Sequence, residues 1–122
     1  MDVRVRFMKA MGFIDYVHLQ QHARCVISDS GTITEESSLL GFPAVTVRQA
    51  HERPEGMDEG TLVMSDLVPE RLLASVAMVL DQQVRGCRVT TVPDYEGGRV
   101  SVQVARIIQS YTDYVRRTVW RE

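Results

Sequence analysis

Ser30, Gly31 and Thr32 follow the apolar run Cys25, Val26, Ile27 and precede a stretch of helical spacing. A strand that turns into a helix presents backbone N–H groups at the positive end of the helix dipole, so a phosphate or diphosphate is its natural guest. Gly31 lets such a ligand approach the backbone closely. The hydroxyls of Ser30 and Thr32 can add hydrogen bonds, although plain helix caps would use the same residue types. The pattern is neither G-x-G-x-x-G nor a P-loop, and without a glycine two positions before Ser30 it is not a nucleophile elbow.

Glu35 and Glu36 lie one turn further on. Carboxylates suit a helix start but repel a phosphate placed too near, so the two need separate duties. A carboxylate at this remove can accept both hydrogen bonds of a ribose's vicinal hydroxyls, which gives position 36 a reason that a general N-terminal charge preference does not. Arg48 and Arg53 flank a segment, residues 48–60, that also carries His51, Glu52, Pro54, Glu55 and Gly56. These arginines can bring cationic forks to the same crevice, a structural Arg–Glu pair being the alternative for Arg53. Tyr16 can stack on a base or serve as core. His18 and His22, spaced i, i+4, could share a metal, but no third ligand is evident, so no metal is expected and His22 is read as packing or hydrogen-bonding behind the sheet.

The elements that must hold these residues follow from periodicity. Val3, Val5 and Phe7 alternate with Arg4 and Arg6, which predicts a strand over 3–7. Tyr16, Val17, Leu19 and Ala23 predict a short helix after Gly12, with Asp15 as its cap. Residues 25–27 read as a strand, and Ile33, Glu36, Leu39 and Leu40 as a helix stopped by Gly41 and Pro43. Ala44–Val47 and residues 61–64 read as strands, and residues 48–60 as a loop. Pro69 opens a helix with Leu72, Leu73, Val76, Val79 and Leu80 as its buried stripe. After a loop over 84–98, a last helix from Arg99 places Val100, Val104, Ile107, Ile108, Tyr111 and Val115 on one face. The order β-α-β-α-β-β-α-α predicts one α/β domain over 1–122, a Rossmann-like three-layer sandwich with a parallel sheet, whose ligands bind at the carboxyl ends of its strands.

Composition narrows the partners. Of 122 residues 44% are hydrophobic, and 14 Lys+Arg against 16 Asp+Glu give a net charge of −2. Nucleic acid and anionic membranes need clustered basic residues, so neither is an expected partner. No apolar run is long enough to span a bilayer and no secretory signal is evident, so the expected compartment is the cytoplasm. Two cysteines are too few for a disulfide framework, and Cys25 reads as a buried free thiol. The Arg116, Arg117, Arg121 tail reads as a solvated helix end.

Taken jointly, D-S-G at 29–31, E-E at 35–36, G-x-P at 41–43 and E-R-P-E at 52–55 resemble the non-hydrolysing UDP-N-acetylglucosamine 2-epimerase family over about residues 13 to 80. The resemblance implies the C-terminal domain of a glycosyltransferase-B type fold, with the active site between it and an N-terminal domain absent here. Ser30, Gly31 and Thr32 would then hold the UDP diphosphate, Glu36 the ribose, and Tyr16 would stand beside the uracil. Arg53 would be catalytic, stabilising charge as UDP departs, with Glu35, Arg48 and Glu52 in support. The implied reaction removes the C2 proton with elimination of UDP and re-adds UDP with C2 inverted, without a metal, nicotinamide or other cofactor. The family's proton-transfer groups lie upstream, so this chain alone would be inactive. Thr32 where the family often has Gly, and Ser37-Ser38 where it often has Ala-Pro, resemble the capsule and O-antigen branch acting on UDP-2-acetamido-2,6-dideoxy sugars. Two other classes fit a nucleotide-sugar domain: a glycosyltransferase of the same architecture, against which the E-R-P-E segment argues, and a stand-alone binding module. A last helix with an exposed apolar face would also allow a homodimer.

Overall fold

The computed structural model describes residues 2–50, 53–87 and 91–121. Three parallel strands, β1 (Val26–Ser28), β2 (Ala44–Val47) and β3 (Val63–Ser65), form a sheet in the order β1-β2-β3. Val26 sits opposite Ala44, and Val45 opposite Val63. Helix α1 (Phe13–His22) precedes β1, α2 (Ile33–Leu40) links β1 to β2, α3 (Glu55–Asp58) lies between β2 and β3, and α4 (Pro69–Val84) follows β3. A 3₁₀ turn (Pro93–Tyr95) leads to α5 (Val100–Val115), which continues as a π-helical stretch (Arg116–Trp120). Among the described residues no helix is long and apolar enough to cross a membrane.

The central strand explains the layering. Ala44, Val45 and Thr46 are all buried, although successive side chains point to opposite faces, so β2 is covered on both sides, as a parallel strand must be. Ala44 joins Ile33, Phe42 and Leu62 in the core, with Val26 and Leu40 against them. Helix α4 packs on β2 and β3. Helix α2 stops where expected, because Gly41 takes a left-handed conformation (φ 70°) and gives its N–H to the Ser37 carbonyl at 2.9 Å.

Four sequence expectations are corrected. Residues 3–7 form no strand: Asp2 instead accepts hydrogen bonds from the backbone and guanidinium of Arg4, and Val3 and Phe7 are 93% and 82% exposed. Alternation supplies a face but not a partner edge, and the local turn prevails. Asp15 sits in the first turn of α1 rather than at its cap, which is Gly12. Residues 48–60 are not all loop, since Pro54 accepts the N–H groups of Met57 and Asp58 at 2.9 Å and starts α3. One helical turn is too short to show a period. In α4, Val79 is buried and Leu72, Val76 and Leu80 are half-buried, but Leu73 is 69% exposed. The last helix does place Val100, Val104, Ile107, Ile108 and Tyr111 together, and all five are exposed.

Candidate functional site

The turn after β1 and the segments after β2 meet at the carboxyl ends of the strands. There a small cleft is lined by Ser30, Gly31, Thr34, Thr46, Arg48, Arg53, Met57 and Leu62. The expected phosphate turn and both expected arginines therefore share one crevice. Within the turn, the Ser30 and Thr32 hydroxyls lie 2.9 Å apart, and Ser30 Oγ accepts the Thr32 N–H at 3.4 Å. The Ser30 N–H in turn donates to Ser28 Oγ at 3.0 Å. Thr32 is the N-cap residue of α2 but makes no side-chain cap bond; its hydroxyl serves the turn instead.

Consecutive glutamates on α2 are turned to different partners. Glu35 Oε1 pairs with Arg53 Nε at 2.5 Å, each side chain about one-third exposed. Glu35 Oε2 is buried with no hydrogen-bond partner among the described residues. Glu36 faces α1, where its Oε2 accepts from Gln20 Nε2 at 2.6 Å and from the Tyr16 hydroxyl at 3.4 Å. Burial, together with the negative charge and hydrogen bond of Glu36, pushes the Tyr16 hydroxyl above its usual range. Tyr16 thus sits beside Glu36, with its hydroxyl engaged there.

A second polar pair lies near Arg53, close enough to feel its charge. Glu55, two residues on, accepts the Tyr95 hydroxyl at 2.8 Å. Its own backbone N–H, that hydroxyl and the Arg53 cation hold the Glu55 carboxyl below its ordinary value. Tyr95 is pushed far up, first by burial and then by the Glu55 hydrogen bond and the charges of Glu55 and Glu35, with Arg53 opposing. The turn carrying Tyr95 is tied to α2, because the buried Val92 N–H donates to Ser38 Oγ at 2.8 Å. Gly56 completes the arrangement: a Cβ there would meet Thr34 Cγ2 at 2.1 Å, so α3 seats on α2 only because residue 56 has no side chain.

Arg53 pairs with a glutamate, Glu35, and lines the cleft as well, so the ion pair does not take it out of the crevice. Glu52 and His51 lie outside the described residues. Arg48 lines the cleft. His18 and His22 stack on each other at 4.1 Å, and the His22 ring also bonds the His18 carbonyl at 2.8 Å. Both are exposed, so His22 does not pack behind the sheet. Among the described residues no group of three or more His, Cys, Asp or Glu could hold a metal ion. Cys25 is half-buried, and burial pushes its thiol up, away from reactivity. Sequence reasoning missed Gln20 and Tyr95, took Ser38 only as a mark of the family branch, and took Gly56 only as part of a loop.

Fold and site define a Rossmann-like α/β domain whose polar crevice lies at the carboxyl ends of a parallel sheet. Comparison with known proteins is specific. A family model described as UDP-N-acetylglucosamine 2-epimerase matches residues 1–109, beyond the 13 to 80 expected, and the chain belongs to this family. The solved UDP-N-acetylglucosamine 2-epimerase from Rickettsia bellii is 51% identical with a TM-score of 0.82, covering 96% of this chain and 32% of that one. UDP-GlcNAc 2-epimerase from Methanocaldococcus jannaschii, 24% identical over 89% of this chain and 29% of its own, shares the fold with a TM-score of 0.70. A UDP-N-acetylglucosamine 2-epimerase from Methanococcus maripaludis is 32% identical over 76 residues, 62% of this chain and 21% of that protein. The chain thus spans a third or less of the length of these relatives. Its fold is the glycosyltransferase-B-like one of the solved structures.

Proposed function

We propose that this chain is the UDP-binding, C-terminal domain of a UDP-sugar 2-epimerase. The observation that carries the reading is the convergence of the Ser30–Gly31 turn with Arg48 and Arg53 in one cleft, with Glu36 one helical turn away. The diphosphate would lie against the turn, where backbone N–H groups and the helix dipole favour negative charge. Glu36 would accept hydrogen bonds from the ribose and Tyr16 would flank the base. In the reaction, the C2 proton is removed and the C1–O bond breaks with its electron pair leaving on UDP. Re-addition of UDP and reprotonation on the other face then invert C2. Arg53, oriented by Glu35, stabilises the charge that develops on the departing diphosphate. The acid and base come from an N-terminal domain supplied by the rest of a longer protein, so the chain alone binds without turning over.

Thr32 and the Ser37-Ser38 pair favour a UDP-2-acetamido-2,6-dideoxy sugar of capsule or O-antigen synthesis as substrate, and a cytoplasmic site of action where such nucleotides are made. The exposed face of α5 favours self-association of the chain when that domain is missing. Calorimetric titration with UDP, with AMP and inorganic phosphate as controls, tests the reading. Binding selective for UDP is expected; a folded chain that binds none of the three, or phosphate as well as UDP, refutes it.

A further inference from the structure

We propose that Gln20 is a positioning residue for Glu36 and thereby sets the preference of the site for a ribose with free hydroxyls; the proposal rests on the UDP reading above. Gln20 is 3% exposed, and an amide so placed costs free energy unless it is hydrogen-bonded. One arm is used: Nε2 donates to Glu36 Oε2 at 2.6 Å, a short bond to a charged acceptor. The other arm, Oε1, is buried with no partner among the described residues. Packing alone would be served better here by Leu or Met, so it is the donor that accounts for the glutamine.

The placement of both donors says what Gln20 does. Gln20 and the Tyr16 hydroxyl both donate to Glu36 Oε2, and neither to Oε1. The carboxylate is held by one oxygen against α1, which fixes its rotation and leaves the lone pairs of the other available to a ligand hydroxyl. Glu36 is only half-buried, so without Gln20 it keeps only the longer Tyr16 bond, at 3.4 Å, and turns more readily into water. A ligand hydroxyl would then have to order it, and part of the gain from the hydroxyl would be lost.

The test is calorimetric titration of the chain with UDP and with 2′,3′-dideoxy-UDP, which lacks both ribose hydroxyls. The wild type is expected to prefer UDP by about tenfold or more. Gln20→Met, which keeps the shape and removes the amide, is expected to lower that ratio about threefold or more while leaving affinity for the dideoxy compound unchanged. In a Glu36→Ala background the same substitution should leave the ratio unaltered. Gln20→Leu stands in if Gln20→Met does not give the wild-type circular dichroism spectrum. A wild-type ratio retained in the folded variant overturns the role of Gln20 alone. Equal binding of both nucleotides by the wild type overturns the ribose role of Glu36 and this proposal with it. A wild type that binds neither overturns the UDP reading itself.

Discussion

Gly56→Ala is the sharpest structural test of how the arginine segment is seated. The added methyl carbon would lie 2.1 Å from Thr34 Cγ2, well inside contact distance, and Thr34 is itself buried, so neither partner can swing into solvent. Inserting a methyl into packed surroundings costs about 1–3 kcal/mol. Alanine recovers up to about 1 kcal/mol of helix propensity, because residue 56 lies within α3 and has no positive φ to lose. The net expectation is a loss of about 1–2 kcal/mol. Unfolding entropy near 2.1 cal/mol/K per residue turns this into a fall in Tm of about 4–8 °C for a chain of this size. Thermal unfolding followed by circular dichroism measures the fall in Tm, and urea unfolding the loss of free energy. Thr34→Ser removes only the offending methyl, and the next nearest atom, Thr34 Cβ at 3.5 Å, is an ordinary contact. The double variant should therefore regain most of what Gly56→Ala loses. A Gly56→Ala chain as stable as the wild type, or a double variant that simply adds two losses, would refute the argument that α3 rests on Thr34.

Other expectations follow from the same geometry. Ser38→Ala leaves the buried Val92 N–H without its acceptor and should destabilise the chain by about 1–3 kcal/mol in urea unfolding, with Ser38→Thr costing less if its hydroxyl keeps the bond. Tyr95 and Tyr16 have hydroxyls raised above their unfolded values, so their contribution to stability is complete below about pH 10 and is lost as pH rises further, because the unfolded chain ionises first. Unfolding curves between pH 8 and 11 should show that decline, and Tyr95→Phe should flatten it. Arg53→Lys should weaken UDP binding about tenfold, since a point charge cannot reproduce a fork held by Glu35; unchanged affinity by calorimetry would make Arg53 purely structural.

Much of the scaffold could be read in advance, and the reasons differ by element. Helix α4 announces itself because Pro69 fits a first helical turn and the apolar residues after it keep a 3.6-residue period. Helix α2 is bounded as clearly by Gly41, and β2 by its small size between turn residues. Residues 3–7 mislead because alternation reports a face, whereas a strand also requires hydrogen bonds from a neighbour. In the site, Ser30, Gly31, Arg48 and Arg53 could be gathered because strand ends and loop residues obey a topological rule. Gln20, Ser38 and Tyr95 could not, since each works through one hydrogen bond across 16, 54 or 40 residues of sequence, and no local period encodes such a pairing. Leu73 was expected inside because five apolar residues mark the stripe, but among the described residues the sheet beneath α4 has only three strands.

Helix α5 has a dynamic consequence. Its main neighbour is its own continuation, and Ile107 at its middle is 58% exposed. A 16-residue helix without a packed face is marginal in water. Its amides should therefore exchange with deuterium orders of magnitude faster than those of β2, whose opening requires the whole sheet to come apart. The chain would then divide into two cooperative units, a slow one around the sheet and a fast one beyond Val100. Any surface that covers the apolar face of α5 would be visible as new protection in the second unit alone.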